Sequence, residues 1–108
     1  MPPPTRERRR YVRAALNPRK WVAAQWQGRI NTYRCPNMSV GGMFLLCSDP
    51  PPRGSVVRFA LDIRGQTIRG LGRVASVQSC GMGLQFLSLR TGDRARIRSL
   101  VNRFLSPA

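Results

Sequence analysis

The sequence predicts an all-β domain, a six-stranded antiparallel β-barrel capped by one C-terminal amphipathic helix. Three observations carry that expectation. From Trp21 onward, short segments rich in Val, Leu, Ile and Phe are separated by Gly and Pro, the texture of a sandwich or barrel. Val57, Phe59, Leu61 and Ile63 alternate with Arg58, Ala60 and Asp62, a period of two that buries one face of a strand. Ile97, Leu100, Val101, Phe104 and Leu105 instead recur at helical spacing, with Arg94, Arg96, Arg98 and Arg103 between them.

Taken in order, strands are expected at 21–27, 30–38, 42–47, 55–63, 67–77 and 82–89. Gln27-Gly28, Arg64-Gly65 and Cys80-Gly81 carry turn residues and read as hairpins, whereas the run from Asp49 through Pro50, Pro51, Pro52 and Arg53 to Gly54 reads as a longer loop. The helix is expected at 91–105, with Thr91 as its N-cap, Asp93 favourably placed in the first turn and Pro107 stopping continuation. Trp21, Trp26, Phe44, Phe59, Phe86 and Phe104 fall mostly in the buried phase of these elements and read as core. Gly70 and Gly72 lack the rest of a dinucleotide fingerprint and read as residues that ease strand crossing.

The 108 residues fit one ordinary domain, and a hydrophobic fraction of 42% supports a modest core. Residues 1–20 differ from the rest: three prolines at the start, little apolar periodicity, and seven basic residues against one acidic. They read as a flexible basic arm, leaving 21–108 as the barrel with its helix. No apolar run approaches the roughly 18–20 residues that span a bilayer, and the N-terminus has no apolar signal core, so the expectation is a cytoplasmic protein without membrane insertion. Cys35, Cys47 and Cys80 form no C-x-x-C pair and read as reduced, partly buried small hydrophobes.

Charge narrows the function. Nineteen Lys and Arg against four Asp and Glu give a formal net charge of +15, which points to a polyanionic partner. With no histidine and only Glu7, Asp49, Asp62 and Asp93 as acids, the chain lacks the usual general bases, paired carboxylates and metal-ligand clusters. A binding module is expected, not an enzyme, with no metal or cofactor. Arginine supplies eighteen of the nineteen cations. Its planar guanidinium can fork onto a phosphate or the O6/N7 edge of guanine, or stack on a base, which the ammonium of lysine cannot do.

Two spacings stand out. Arg9 and Arg13 form R-x-x-x-R, and Arg6 with Arg10 forms an overlapping one. Further on, Asn37, Ser39, Gly41 and Gly42 place short polar side chains and glycines inside an apolar β region. With 23 residues between Arg13 and Asn37, the ordered pair of motifs resembles the PilZ family, bacterial domains that bind cyclic diguanylate through an N-terminal R-x-x-x-R and a downstream [D/N]-x-S-x-x-G. Arg9 and Arg13 match the first motif; Asn37, Ser39 and Gly42 match the second. The stretches Gly70-Leu71-Gly72-Arg73-Val74 and Gly81-Met82-Gly83-Leu84-Gln85-Phe86, and the terminal helix, extend the likeness over nearly the whole chain.

The resemblance implies a PilZ-like barrel and a cyclic diguanylate receptor that signals to a partner protein by ordering its arm. It assigns ligand contacts to Arg8, Arg9, Arg13, Asn37, Ser39, Gly41 and Gly42, and Arg8, immediately before the motif, implies an intercalated ligand dimer. The register Arg9/Arg13 against Arg6/Arg10 stays open at this stage. Asn37 stands where many members have Asp; it keeps an acceptor and loses a charge that could pair guanine N–H donors. Two other readings compete: a PilZ-like adaptor making only protein contacts, and a small barrel binding single-stranded nucleic acid. The second is weakened by the scarcity of exposed aromatics.

Overall fold

The computed structural model describes residues 14–15, 20–63 and 65–105, excepting the side chains of 14, 15, 104 and 105. Among the described residues the chain forms β1 (Ala14–Ala15), β2 (Trp21–Trp26), β3 (Arg29–Arg34), β4 (Asn37–Met38), β5 (Gly42–Leu46), β6 (Val56–Ile63), β7 (Gln66–Gln78), β8 (Gly81–Leu89) and α1 (Thr91–Leu105). The strands make one antiparallel sheet in the order β1-β4-β5-β8-β7-β6-β2-β3. It curls until β3 comes against β5, giving a half-barrel with α1 packed beside β1.

Every expected strand has a counterpart, but six is too few. The segment expected as one strand at 30–38 breaks at Cys35-Pro36 into β3 and β4. Pro36 has no N–H to give a ladder. The Cys35 N–H turns back to the Lys20 carbonyl at 3.0 Å, and the chain changes partners, from β2 on one side of the break to β1 and β5 on the other. β1, inside the segment read as an arm, pairs Ala14 with Met38 and Ala15 with Asn37.

All three expected hairpins form, two at the expected turn residues and the third one residue earlier, at Ser79-Cys80 instead of Cys80-Gly81. Trp26 pairs with Arg29 around Gln27 and Gly28, whose φ of 50° and 79° define a type I′ turn. Ile63 pairs with Gln66, and Gln78 with Gly81, each around two residues. Ser79-Cys80 is the last of these turns, and it leaves Cys80 exposed, against the expectation of partial burial; Cys47 is half-buried and Cys35 buried. Cys35 Sγ donates to the Asn37 carbonyl oxygen at 3.2 Å.

The β6 alternation buries Val57, Phe59, Leu61 and Ile63 and exposes Val56, Arg58 and Asp62. Phe59 stacks on Phe86 with ring centroids 5.3 Å apart, and Ile97, Leu100 and Val101 of α1 enter the same core. Trp26 packs against that core and Phe44 is half-buried, but Trp21 stays 49% exposed. Trp21 precedes the inward Val22 and so occupies the outward phase, where the guanidinium of its cross-strand partner Arg34 lies 5.4 Å from the ring centroid. Phe104 falls among the side chains outside the described set.

The helix covers the expected residues, but its cap lies one residue earlier than expected. The Arg90 carbonyl accepts from the N–H groups of both Asp93 and Arg94 at 3.0 Å, which makes Arg90 the cap and places Thr91 in the first turn. Asp93 sits in that turn as expected; it is buried, and Arg96 Nη1 donates to its Oδ1 at 2.6 Å.

Candidate functional site

The second motif folds into one hairpin. Asn37 pairs with Phe44 and Met38 with Met43, and both methionines are fully buried, which anchors the hairpin in the core. Because side chains alternate along a strand, Asn37 and Phe44 lie on the outer face of the sheet. The Ser39 N–H closes the turn onto the Gly42 carbonyl at 2.8 Å.

Ser39 itself is buried, 3% exposed, and its hydroxyl is used within the turn. The N–H groups of Gly41 and Gly42 each donate to Ser39 Oγ at 3.2 Å, and the hydroxyl in turn donates to the Gly42 carbonyl oxygen at 3.4 Å. Without that oxygen both amides would lose an acceptor at a tight turn. Serine is therefore explained locally, before any ligand is invoked.

The glycines are explained by β8. Gly42 pairs with Gln85, and a Cβ on Gly42 would meet the Leu84 carbonyl oxygen at 2.1 Å. Its φ lies outside the left-handed region, so it is close approach of two backbones, not turn geometry, that requires glycine here. The Gly41 carbonyl accepts the Phe86 N–H at 2.9 Å. The hairpin is thus stitched to β8 on one side and to β1 on the other.

The structure therefore brings Asn37, Ser39, Gly41 and Gly42 together in a single hairpin. Arg8, Arg9 and Arg13, and the alternative pair Arg6 and Arg10, lie outside the described residues. Sequence reasoning missed what flanks the hairpin. Gln85 stands opposite Gly42, Arg73 stands opposite Gln85, and Arg73 Nη2 donates to Gln85 Oε1 at 3.0 Å. The residues are twelve apart in sequence, and only the β7–β8 register joins them.

Elsewhere, a cleft of about 550 Å3 between β2, β6 and β7 is lined by Ala23, Ala60, Leu71, Arg58, Arg69 and Arg90, among others, and contains none of the motif residues. A second, of about 440 Å3, lies where β3 approaches β5, with Tyr33 and Cys47 in its wall. Burial raises the Tyr33 pKa above its ordinary 10.0, and the neighbouring Cys47 thiol and Asp49 carboxylate push the same way, partly opposed by a hydrogen bond to Asn31. Among the described residues no three His, Cys, Asp or Glu side chains gather as ligands for an ion, and no helix is long and apolar enough to cross a membrane.

The PilZ domain profile matches residues 7–103, and the chain belongs to the PilZ family. Solved structures agree in fold. The Bacillus subtilis inhibitor of motility MotI/DgrA is similar with a TM-score of 0.76 and 21% identity, over 95% of this chain and 56% of that one. The PilZ domain of YcgR from Escherichia coli, solved with c-di-GMP, gives 0.74 and 13% over 91% and 92% of the two chains. The MrkH–c-di-GMP complex of K. pneumoniae gives 0.74 and 17% over 91% and 52%. This chain thus spans little more than half of the first and third of these proteins. No curated protein sequence is a match.

Proposed function

We propose that the chain is a receptor domain for cyclic diguanylate (c-di-GMP), held between Arg9 and Arg13 on one side and the Asn37–Gly42 hairpin on the other, with no chemical step. The observation that carries the reading is the β1–β4 register. Ala14 pairs with Met38 and Ala15 with Asn37, so the strand that continues directly from Arg13 lies beside the second motif. One peptide bond joins Arg13 to Ala14, and Arg9 is four residues further. In the other register, Arg10 is four residues from β1 and Arg6 is eight, which favours Arg9 and Arg13 as the working pair.

The chemistry fits the ligand. Two phosphates and two guanines suit guanidinium groups, each charge-assisted hydrogen bond being worth about 1.5–3 kcal/mol. Asn37 offers an amide to a base edge, and the half-buried Gly41 carries no side chain to keep a ligand off the backbone. Related domains of this fold from E. coli and K. pneumoniae have been solved with the same nucleotide. Arg8 extends the basic run by one residue and would serve a second, intercalated ligand molecule. Closing of the arm over the ligand would carry the signal to a partner protein in the cytoplasm.

Calorimetric titration at about 150 mM salt, with c-di-GMP and with a mixed oligonucleotide, tests this reading. Saturable nucleotide binding is expected, weakened at least tenfold by Arg9→Ala or Arg13→Ala and much less by Arg6→Ala. Damage from Arg6→Ala equal to that from Arg13→Ala would move the grip to Arg6 and Arg10. Heat only with the oligonucleotide would favour the nucleic-acid reading, and no heat with either would leave the adaptor. Trypsin reports the arm: ligand is expected to protect the bonds after Arg9 and Arg13 while Arg6 stays cleavable.

A further inference from the structure

We infer that Arg73, oriented by Gln85, is a third arginine anchor for the anionic ligand, gripping it from the far side of the hairpin; this rests on the hairpin being the ligand surface proposed above. β4, β5, β8 and β7 are consecutive neighbours in the sheet. Gly42, Gln85 and Arg73 are successive partners across the last three of them, and directly opposed residues point to the same face. That face is the outer one, because Met43, Leu84 and Val74, the next residues along or back, are buried in the core. Two strand gaps of about 4.8 Å put the Arg73 backbone roughly 10 Å from Gly42.

The surface between them is only partly covered. Gly42 has no side chain, while the ring of Phe44, opposite Asn37, leans over Gly81, and Ser76 lies against Gly83. A ligand touching Asn37 on β4 can therefore pass over Gly42, beside Phe44, to meet the Arg73–Gln85 pair. The two sides of the ligand would then be held by different parts of the chain, the arm on β1 and a fixed strand on β7.

The state of the Arg73 guanidinium is what suits it to this role. Its bond goes to a neutral amide oxygen, so it is positioned without being neutralised. Among the described residues one of its five N–H donors is used and no carboxylate pairs with it. By contrast Arg96 is spent on Asp93, and Arg34 lies over Trp21. Arg58, opposite Leu71 on β6, is a diagonal neighbour of Arg73, whereas Arg69 lies four residues away along β7, about 13 Å, beside the cleft that excludes the motif.

Titration of c-di-GMP into the wild-type chain and into Arg73→Ala, Gln85→Glu, Asn37→Ala and Arg69→Ala decides the point, with the melting temperature of each variant recorded alongside. Arg73→Ala is expected to weaken binding at least tenfold at an unchanged melting temperature, since the side chain is exposed, and the more distant Arg69→Ala less than twofold. Gln85→Glu is expected to weaken binding as much as Arg73→Ala, because a carboxylate there would pair with Arg73 and repel phosphate. Wild-type affinity retained in Arg73→Ala would overturn the inference while leaving the receptor reading intact, and so would equal losses in Arg73→Ala and Arg69→Ala, the mark of diffuse electrostatics. No heat from the wild-type chain would instead remove the receptor reading itself.

Discussion

Gly42 and Leu84 approach so closely across the β5–β8 ladder that a methyl group on Gly42 would lie 2.1 Å from the Leu84 carbonyl oxygen. Neither backbone can retreat, because Met43 and Leu84 on either side of the contact are fully packed in the core. Gly42→Ala should therefore cost about 1–3 kcal/mol through overpacking. Gly72→Ala is the matched control. A Cβ there meets nothing nearer than 3.5 Å and φ is not left-handed, so a gain of about 0.4–1 kcal/mol is expected from the stiffer unfolded chain. Urea midpoints that move in opposite directions would bear this out; two losses of equal size would not.

Ser39→Ala tests the other half of the motif. The hydroxyl accepts two amide hydrogens inside a buried turn, and its removal should destabilise the fold by about 1–3 kcal/mol. Hydrogen exchange locates the effect: the Gly41 and Gly42 amides should exchange faster, with core amides of β6 slowed or sped only by the global change. Unaltered protection at both glycines would mean that the hydroxyl does not hold the turn. The family resemblance assigns Ser39 a ligand contact; the geometry makes any loss of affinity in this variant partly a loss of hairpin structure. Asn37, half-buried on the outer face, is the better single probe of ligand contact.

Much of the fold was legible because local signals agreed with one another. The β6 alternation, the glycine-bearing turns and the helical repeat after Arg90 each depend on residues within one element. What escaped depended on partners far away in sequence. The break at Pro36 became visible only once β3 and β4 were seen to pair with different strands, and Trp21 faces outward because the inward phase of β2 is set by Val22. The family resemblance marks the motif glycines as ligand contacts, whereas the packing that requires glycine at 42 is the approach of Leu84, a neighbour 42 residues later. Arg73 and Gln85 had no signal at all, since an arginine and a glutamine in exposed strand phases resemble any solvated face until register joins them.

The β2–β3 turn offers a stabilising change. Gln27 adopts φ of 50° in a type I′ turn, a conformation that costs a residue with a Cβ about 1–2 kcal/mol and that Asn and Gly tolerate far better. Gln27→Asn or Gln27→Gly should raise stability by about 0.5–1 kcal/mol and the melting temperature by a few degrees. A fall in melting temperature for both variants would indicate that the Gln27 side chain makes contacts worth more than the backbone strain.

Alkaline titration should isolate Tyr33. Burial beside Cys47 and Asp49 raises its pKa above 10.0, so the folded chain holds the phenol proton more tightly than the unfolded chain does. Between the unfolded and folded values the native state binds more protons, and stability must fall as pH rises through that window. Below pH 10 the contribution is fully present; above the folded pKa, where both states have ionised, it is gone. Phenylalanine at this position cannot ionise. Tyr33→Phe should therefore show a shallower loss of unfolding free energy above pH 10 than the wild type, even if its stability at neutral pH is lower for want of the hydroxyl contacts with Asn31 and Cys47. Parallel curves for the two proteins would place the alkaline sensitivity in another group and remove Tyr33 as its source.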